Sequence, residues 1–126
     1  MSLKVDLGEL ATTLAPYGFA YLVTVGDDGR VHVLAVTPEL TDAGLVVGGV
    51  GRHSQANATE RPNVTLVWPP TEPGGFSLLV DGTAIVDGET ITVAPAKATL
   101  HRPAPGPDGQ RAGSDCVSVP LESDAP

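Results

Sequence analysis

The sequence predicts a mainly β domain, a small antiparallel barrel of six to seven strands with one N-terminal helix and one short helix between strands three and four. Three observations predict it. Runs rich in Val, Leu, Thr and Ile recur at 21–25, 31–36, 45–49 and 63–68, bounded by Gly, Pro, Asp or Asn, as strands joined by tight turns require. No helix of 10–15 residues alternates with these runs, which excludes the βαβ unit and a doubly wound parallel sheet. The core must be built from Val, Leu, Ile and Ala, because Trp, Tyr and Phe together supply only 1, 2 and 2 residues.

The elements follow in order. A helix is expected over 6–14. Asp6 and Glu9 stand three apart as in a capping box, and Val5 and Leu10 occupy the hydrophobic-staple positions. Leu7, Leu10, Ala11 and Leu14 keep the spacing of one buried face, and Pro16 and Gly18 end the helix. Tyr21–Val25 and Val31–Val36 form a hairpin around Gly26-Asp27-Asp28-Gly29, where Gly29 suits positive φ. Alternation puts Val31, Val33 and Ala35 on one face and His32, Leu34 and Val36 on the other. Both faces are largely apolar, as in a barrel or a sheet covered on both sides.

The turn Thr41-Asp42-Ala43-Gly44 leads to the third strand, 45–49, and Ser54 can cap a short helix that runs to about Arg61 and stops at Pro62. Residues 63–68 make the fourth strand and 69–75 a loop. The fifth strand, 76–86, contains Gly82, placed for a bulge or bend; Asp87-Gly88 is a tight turn. Pro95 confines the sixth strand, 90–100, to an edge or breaks it. Val117-Ser118-Val119 offers a short seventh strand.

Gly and Pro divide the chain. Residues 103–126 hold five Pro and three Gly among 24 positions and show no apolar periodicity. The reading is a folded domain over 1–102 and a Pro/Gly-rich tail over 103–126, expected to be extended or disordered. A domain of this size buries only a modest share of its surface, so dimerisation is a natural way to add core.

Charge and composition exclude several functions. Seven basic against 15 acidic residues give a net charge of −8, which argues against nucleic acid and anionic membranes as partners, since both demand a basic face. There is no secretory signal pattern, no apolar run long enough to span a bilayer, and one cysteine, Cys116, beside acid. The expected compartment is cytoplasmic, with Cys116 an unreactive tail thiol. Asn57-Ala58-Thr59 and Asn63-Val64-Thr65 are then chance matches to the glycosylation pattern.

The stretch Gly48-Gly49-Val50-Gly51-Arg52-His53-Ser54 is the most informative. Glycines after a strand, then a guanidinium, an imidazole and a hydroxyl leading into a helix, make a site for phosphate or else a plain strand-to-helix turn. It matches neither the P-loop nor the dinucleotide fingerprint. His32, His53 and His101 show no metal-ligand spacing on a helix, and no Gly-x-Ser-x-Gly elbow supports hydrolysis, so no metal is expected and no catalytic residue is assigned. The acids at Asp27, Asp28, Asp42, Asp81, Asp87 and Glu89 read as turn chemistry.

Taken together, these elements resemble the FMN-binding split barrels, the pyridoxamine 5′-phosphate oxidase-like family. The hairpin Tyr21-Leu22-Val23-Thr24-Val25 to Asp28-Gly29-Arg30-Val31-His32-Val33 is similar to that family's opening hairpin. Asn57 with Arg61-Pro62-Asn63-Val64-Thr65-Leu66 fits its helix-to-strand register, and Val80-Asp81-Gly82-Thr83-Ala84 its following strand. The resemblance covers about residues 5–102.

It implies a homodimer with cofactor sites at the subunit interface and a small-molecule substrate. Val47 and Gly48 would lie along the flavin, Arg52, His53 and Ser54 on the phosphate turn, His32 near the ring or ribityl chain, and Ser77 against the cofactor. The chain departs from the family at two places. Ser54 replaces its usual Lys and Arg52 its usual Ser, so Arg52 must supply the charge that meets phosphate. The substrate-binding C-terminal segment of the B6-vitamer oxidases is unmatched. The expected function is an FMN-binding oxidoreductase; the alternatives are a deazaflavin-dependent reductase of the same fold and a non-enzymatic dimeric barrel that has lost its cofactor.

Overall fold

The protein is described over residues 1–104 by a computed structural model; the expected strand at 117–119 and Cys116 lie outside the described residues. Eight antiparallel strands make one sheet: β1 (Ser2–Val5), β2 (Ala20–Val25), β3 (Val31–Val36), β4 (Glu39–Thr41), β5 (Gly44–Val47), β6 (Asn63–Trp68), β7 (Ser77–Asp87) and β8 (Thr90–His101). Their order is β3-β2-β6-β7-β8-β5-β4, and β1 pairs with β8. The sheet does not close, because β3 and β4 each have a single partner strand. Two helices, α1 (Leu10–Leu14) and α2 (Arg52–Glu60), complete the domain, and α2 lies between β5 and β6 as expected.

Turn chemistry works as the sequence implies. The β2–β3 hairpin runs in register from Ala20↔Val36 to Val25↔Val31. Its turn is closed by Gly29 N–H to Gly26 O at 2.9 Å and Gly26 N–H to Arg30 O at 2.8 Å, and Gly29 adopts φ 82°. Asp28 Oδ1 accepts the Arg30 N–H at 2.9 Å. The core lies on one face of the sheet, where Leu22, Leu45, Leu66, Leu78, Ile91 and Val93 are fully buried with Trp68. Each such side chain contributes about 1.5–3 kcal/mol through burial.

Three elements differ from the sequence reading, each for a physical reason. The N-terminal helix is shorter than 6–14: Leu7–Glu9 form a 3-10 turn and only Leu10–Leu14 form α1, while residues 2–5 add a strand, β1, that pairs with β8. Asp6 Oδ1 still caps, accepting the Gly8 N–H at 3.1 Å, and Val5 and Leu10 are buried. So short a helix cannot bury the whole proposed face, and Leu7 and Ala11 stay exposed. The Thr41–Gly44 turn closes a hairpin whose first strand, β4, is three exposed residues and has no alternation to betray it.

Pro95 does not place β8 at an edge. On one side β8 pairs with β7 along its length; on the other, β5 takes residues 91–93 and β1 takes 98–101. Pro95 falls in the gap between those two partners, beside the register shift at Asp81/Gly82, where the missing N–H interrupts no regular ladder. Gly82 is the expected bulge, and its lack of a Cβ lets β7 approach the backbone of Ala94.

Candidate functional site

The site is built where β5 hands the chain to α2. After Val47, the turn Gly48–Gly51 is pinned at its middle. Val50 is buried, its N–H donates to Glu89 O at 2.8 Å, and its carbonyl accepts from Gln55 Nε2 at 2.7 Å. The glycines on either side face open space: a Cβ at Gly48, Gly49 or Gly51 would meet nothing within 4 Å, and Gly49 needs φ 67°.

Pinning Val50 starts α2 at Arg52, two residues before the cap expected at Ser54. Gly51 is the N-cap and supplies no side-chain cap, so the N–H groups of the first turn have no side-chain partner there. Ser54 is instead the third helical residue and is buried. Two polar tethers hold α2 on the sheet: Asn57 Nδ2 donates to the fully buried Thr24 Oγ1 at 3.2 Å, and Arg61 Nε donates to Val25 O at 2.6 Å.

Between α2 and the β2–β3 turn lies a cleft of about 500 Å³ lined by Asp27, Arg52, His53, Asn57, Glu60 and Arg61. His32, half-buried on β3, places its ring 5.9 Å from that of His53, tilted by 46°. Among the described residues the one ion pair within 4.0 Å is the exposed Arg30–Asp28 contact, so neither Arg52 nor Arg61 is committed to a carboxylate. The guanidinium of Arg52, the uncapped helix start and two imidazoles thus converge, an arrangement that attracts an anion.

The structure brings His32, Arg52 and His53 together and sets Gly48 exposed on the same turn. Val47 points its side chain into the core, leaving only its backbone for a ligand. Ser77 opens β7 opposite His101. It lies about 23 Å along the strand from Ala84, which bonds to Pro62 at the end of α2. Ser77 is therefore remote from the cleft.

Asp27, Asn57, Glu60 and Arg61 were not singled out as site residues from sequence. The signal was present: positions 52, 53, 57, 60 and 61 share one helix face by their spacing. A larger groove of about 830 Å³ runs between β1 and β8, lined by Lys4, Asp6 and Lys97 among small apolar residues. It brings together no imidazole and no guanidinium. Among the described residues no three His, Cys, Asp or Glu gather to hold a metal.

Comparison with known proteins places this geometry. No family model matches the chain. Over 130 residues it is 44% identical to "Uncharacterized protein Mb0449c" of Mycobacterium bovis, covering 90% of this chain and 91% of that one. The same figures hold for "Uncharacterized protein MT0457" of Mycobacterium tuberculosis. The chain belongs to the family of these mycobacterial proteins.

Solved structures establish the fold. A candidate pyridoxamine 5′-phosphate oxidase of Listeria innocua matches with TM-score 0.61 at 16% identity, over 74% of this chain and 95% of that one. An FAD-binding protein of Mycobacterium smegmatis matches with TM-score 0.57 at 14% identity, over 81% and 100%. A protein named F420 reductase matches with TM-score 0.57 at 18% identity, over 75% and 98%. The fold is the pyridoxamine 5′-phosphate oxidase-like split barrel. No helix among the described residues is long and apolar enough to cross a membrane.

Proposed function

We propose that the protein binds a flavin, FMN in the first reading, and serves as a flavin-dependent oxidoreductase on a small molecule. One observation carries the proposal: on a split-barrel fold, Arg52 and His53 at the uncapped start of α2 line one cleft, with the His32 ring 5.9 Å from that of His53. The residues fit a phosphate. Three glycines leave room for close approach of a ligand to the backbone, and an unpaired guanidinium stands at the positive end of a helix. A bound flavin supplies the hydride chemistry, while the chain supplies binding and orientation.

Arg52 and the first-turn N–H groups hold the phosphate. His53 and His32 flank it as further donors, and the tethers from Asn57 and Arg61 keep α2 rigid against β2. The absence of a Lys at position 54 is offset by Arg52, since Ser54 is turned into the protein.

The proposal includes a homodimer. The outer face of the β3–β2 hairpin exposes Val31 at 60% and Val33 at 54%, beside Tyr21, without any covering layer in the subunit. Contiguous exposed apolar surface of this kind marks an interaction site. A flavin site completed by the partner also accounts for Ser77 standing remote from the cleft of its own subunit.

The test is the absorbance spectrum of the purified protein and a fluorescence titration with FMN. Saturable binding that Arg52→Ala weakens about tenfold or more is the expected result. A colourless protein with no FMN affinity overturns the proposal. A parallel titration with a deazaflavin cofactor separates the second reading, which the likeness to the protein named F420 reductase favours.

A further inference from the structure

The groove between β1 and β8, about 830 Å³, shares no residue with the cleft along α2. Its origin lies in the strand ladder. On the side of β8 away from β7, β5 takes residues 91–93 and β1 takes 98–101. Residues 94–97 therefore present strand edge with no partner on that side among the described residues. The exposed side chains of Leu7 and Ala96 line the groove, together with the buried Val5 and Ala98.

The groove is also basic. The chain has two lysines, Lys4 and Lys97, and both line it. Lys4 stands opposite Thr99, two residues from Lys97, so the pair is diagonal across the ladder and about 7–8 Å apart. Among the described residues neither lysine has a carboxylate within 4.0 Å. The neighbouring acids are already engaged. Asp6 Oδ1 accepts the Gly8 N–H at 3.1 Å, and Asp81, across from Lys97, accepts from Thr65 Oγ1 at 2.6 Å. An acidic and partly apolar strand is what such a groove fits.

We infer that this groove is the docking site of the chain's own segment Asp115–Asp124, which lies outside the described residues. The chemistry is complementary. Val117, Val119 and Leu121 stand at every second position and would share one face of an extended strand. Asp115, Glu122 and Asp124 bracket them with carboxylates, and residues 103–126 carry one base against four acids. The apolar face meets Leu7 and Ala96, and the carboxylates meet Lys4 and Lys97. The tether reaches. Arg102 N–H donates to Met1 O at 3.0 Å, so the chain leaves β8 beside the start of β1. Residues 103–114 span up to roughly 40 Å, whereas β1 is only about 13 Å long. A short flexible tether holds its segment at an effective concentration near millimolar, so modest contacts suffice to fill the groove. An acidic peptide on another molecule has no such advantage. The inference stands apart from the flavin reading.

Cys116, the only cysteine, gives the test its probe. A nitroxide is attached there in the full, isotope-labelled chain, diluted in excess unlabelled and untagged chain so that only contacts within one chain register. The amide signals of Lys4–Leu7 and Ala96–Ala98 are expected to broaden and to recover when the nitroxide is reduced. Those of Val31–Val33, four strands away from β8, are expected to stay sharp. The broadening is expected to be lost in Lys4→Gln with Lys97→Gln, and equally in Glu122→Gln with Asp124→Asn. Both lysines are exposed, so the first pair of substitutions leaves the fold intact. Absence of broadening at the groove, or broadening that survives both double variants, overturns the inference. Broadening of the groove in a mixture of tagged unlabelled chain with untagged labelled chain assigns it to a second copy's tail and also overturns it.

Discussion

Gly82→Ala tests how the sheet bends around its core. Gly82 is buried at the register shift of β7, and a Cβ built there lies 2.6 Å from Val93 Cγ1 and in closer conflict with the carbonyl oxygen of Ala94. Val93 cannot retreat, because from the opposite side Gly44 presses on the same stretch: its own Cβ would stand 2.5 Å from Val93 O. The central strand β8 is thus gripped at Val93–Ala94 between two glycines. Relief requires backbone movement in a strand paired on both sides, which places the cost at the upper end for overpacking, about 3 kcal/mol.

For a domain of about 100 residues that lowers Tm by roughly 12–24 °C. It also moves the urea midpoint down by roughly 1–3 M. Trp68, the single tryptophan, is buried and reports unfolding by its fluorescence. Gly48→Ala is the control, because open space surrounds that position and its cost should stay within about 0.5 kcal/mol. A Gly82→Ala midpoint within roughly 0.3 M of wild type would refute the reasoning.

Other perturbations probe the site and the surface. Asn57→Leu removes the bond to Thr24 and leaves a fully buried hydroxyl without that donor; a loss of about 1–3 kcal/mol is expected in urea melts, with weaker flavin binding as α2 loosens. Tyr17 donates to Phe76 O at 2.9 Å, and burial pushes its phenol above the usual tyrosine range. A raised pKa in the folded state favours the protonated phenol, so its contribution is complete below the unfolded value of about 10 and is lost as pH rises through the folded one. Tyr17→Phe should therefore lower stability by about 1 kcal/mol at neutral pH and flatten the fall above pH ~10, as measured by melts across pH. Val33→Lys should convert a dimer to monomer in sedimentation velocity while the isolated subunit keeps its circular dichroism; an unchanged sedimentation coefficient would count against the β3–β2 face as the interface.

What the chain alone made legible was local. The β2–β3 hairpin and the cap at Asp6 each depend on residues within a few positions of one another and stand as the residues imply, and the bulge in β7 was marked by Gly82 itself. Arg52 and His53 were legible for the same reason, since a glycine turn entering a helix is a sequence feature. Long-range pairing was not. That residues 2–5 form a strand is decided by β8, almost a hundred residues away, and Pro95 is harmless inside β8 because two different strands happen to share its far side.

The same division holds for the site. The sequence by itself determined an acidic, mainly β domain with one basic turn at the start of a short helix. Only the tertiary structure decided that His32 meets His53, that Ser54 faces inward, and that Asp27 and Glu60 close the far end of the cleft. Those facts depend on α2 lying across the end of the β2–β3 hairpin, held there by Asn57 on Thr24 and Arg61 on Val25. Contacts between residues some 20 to 36 positions apart are set by packing, which no local pattern encodes.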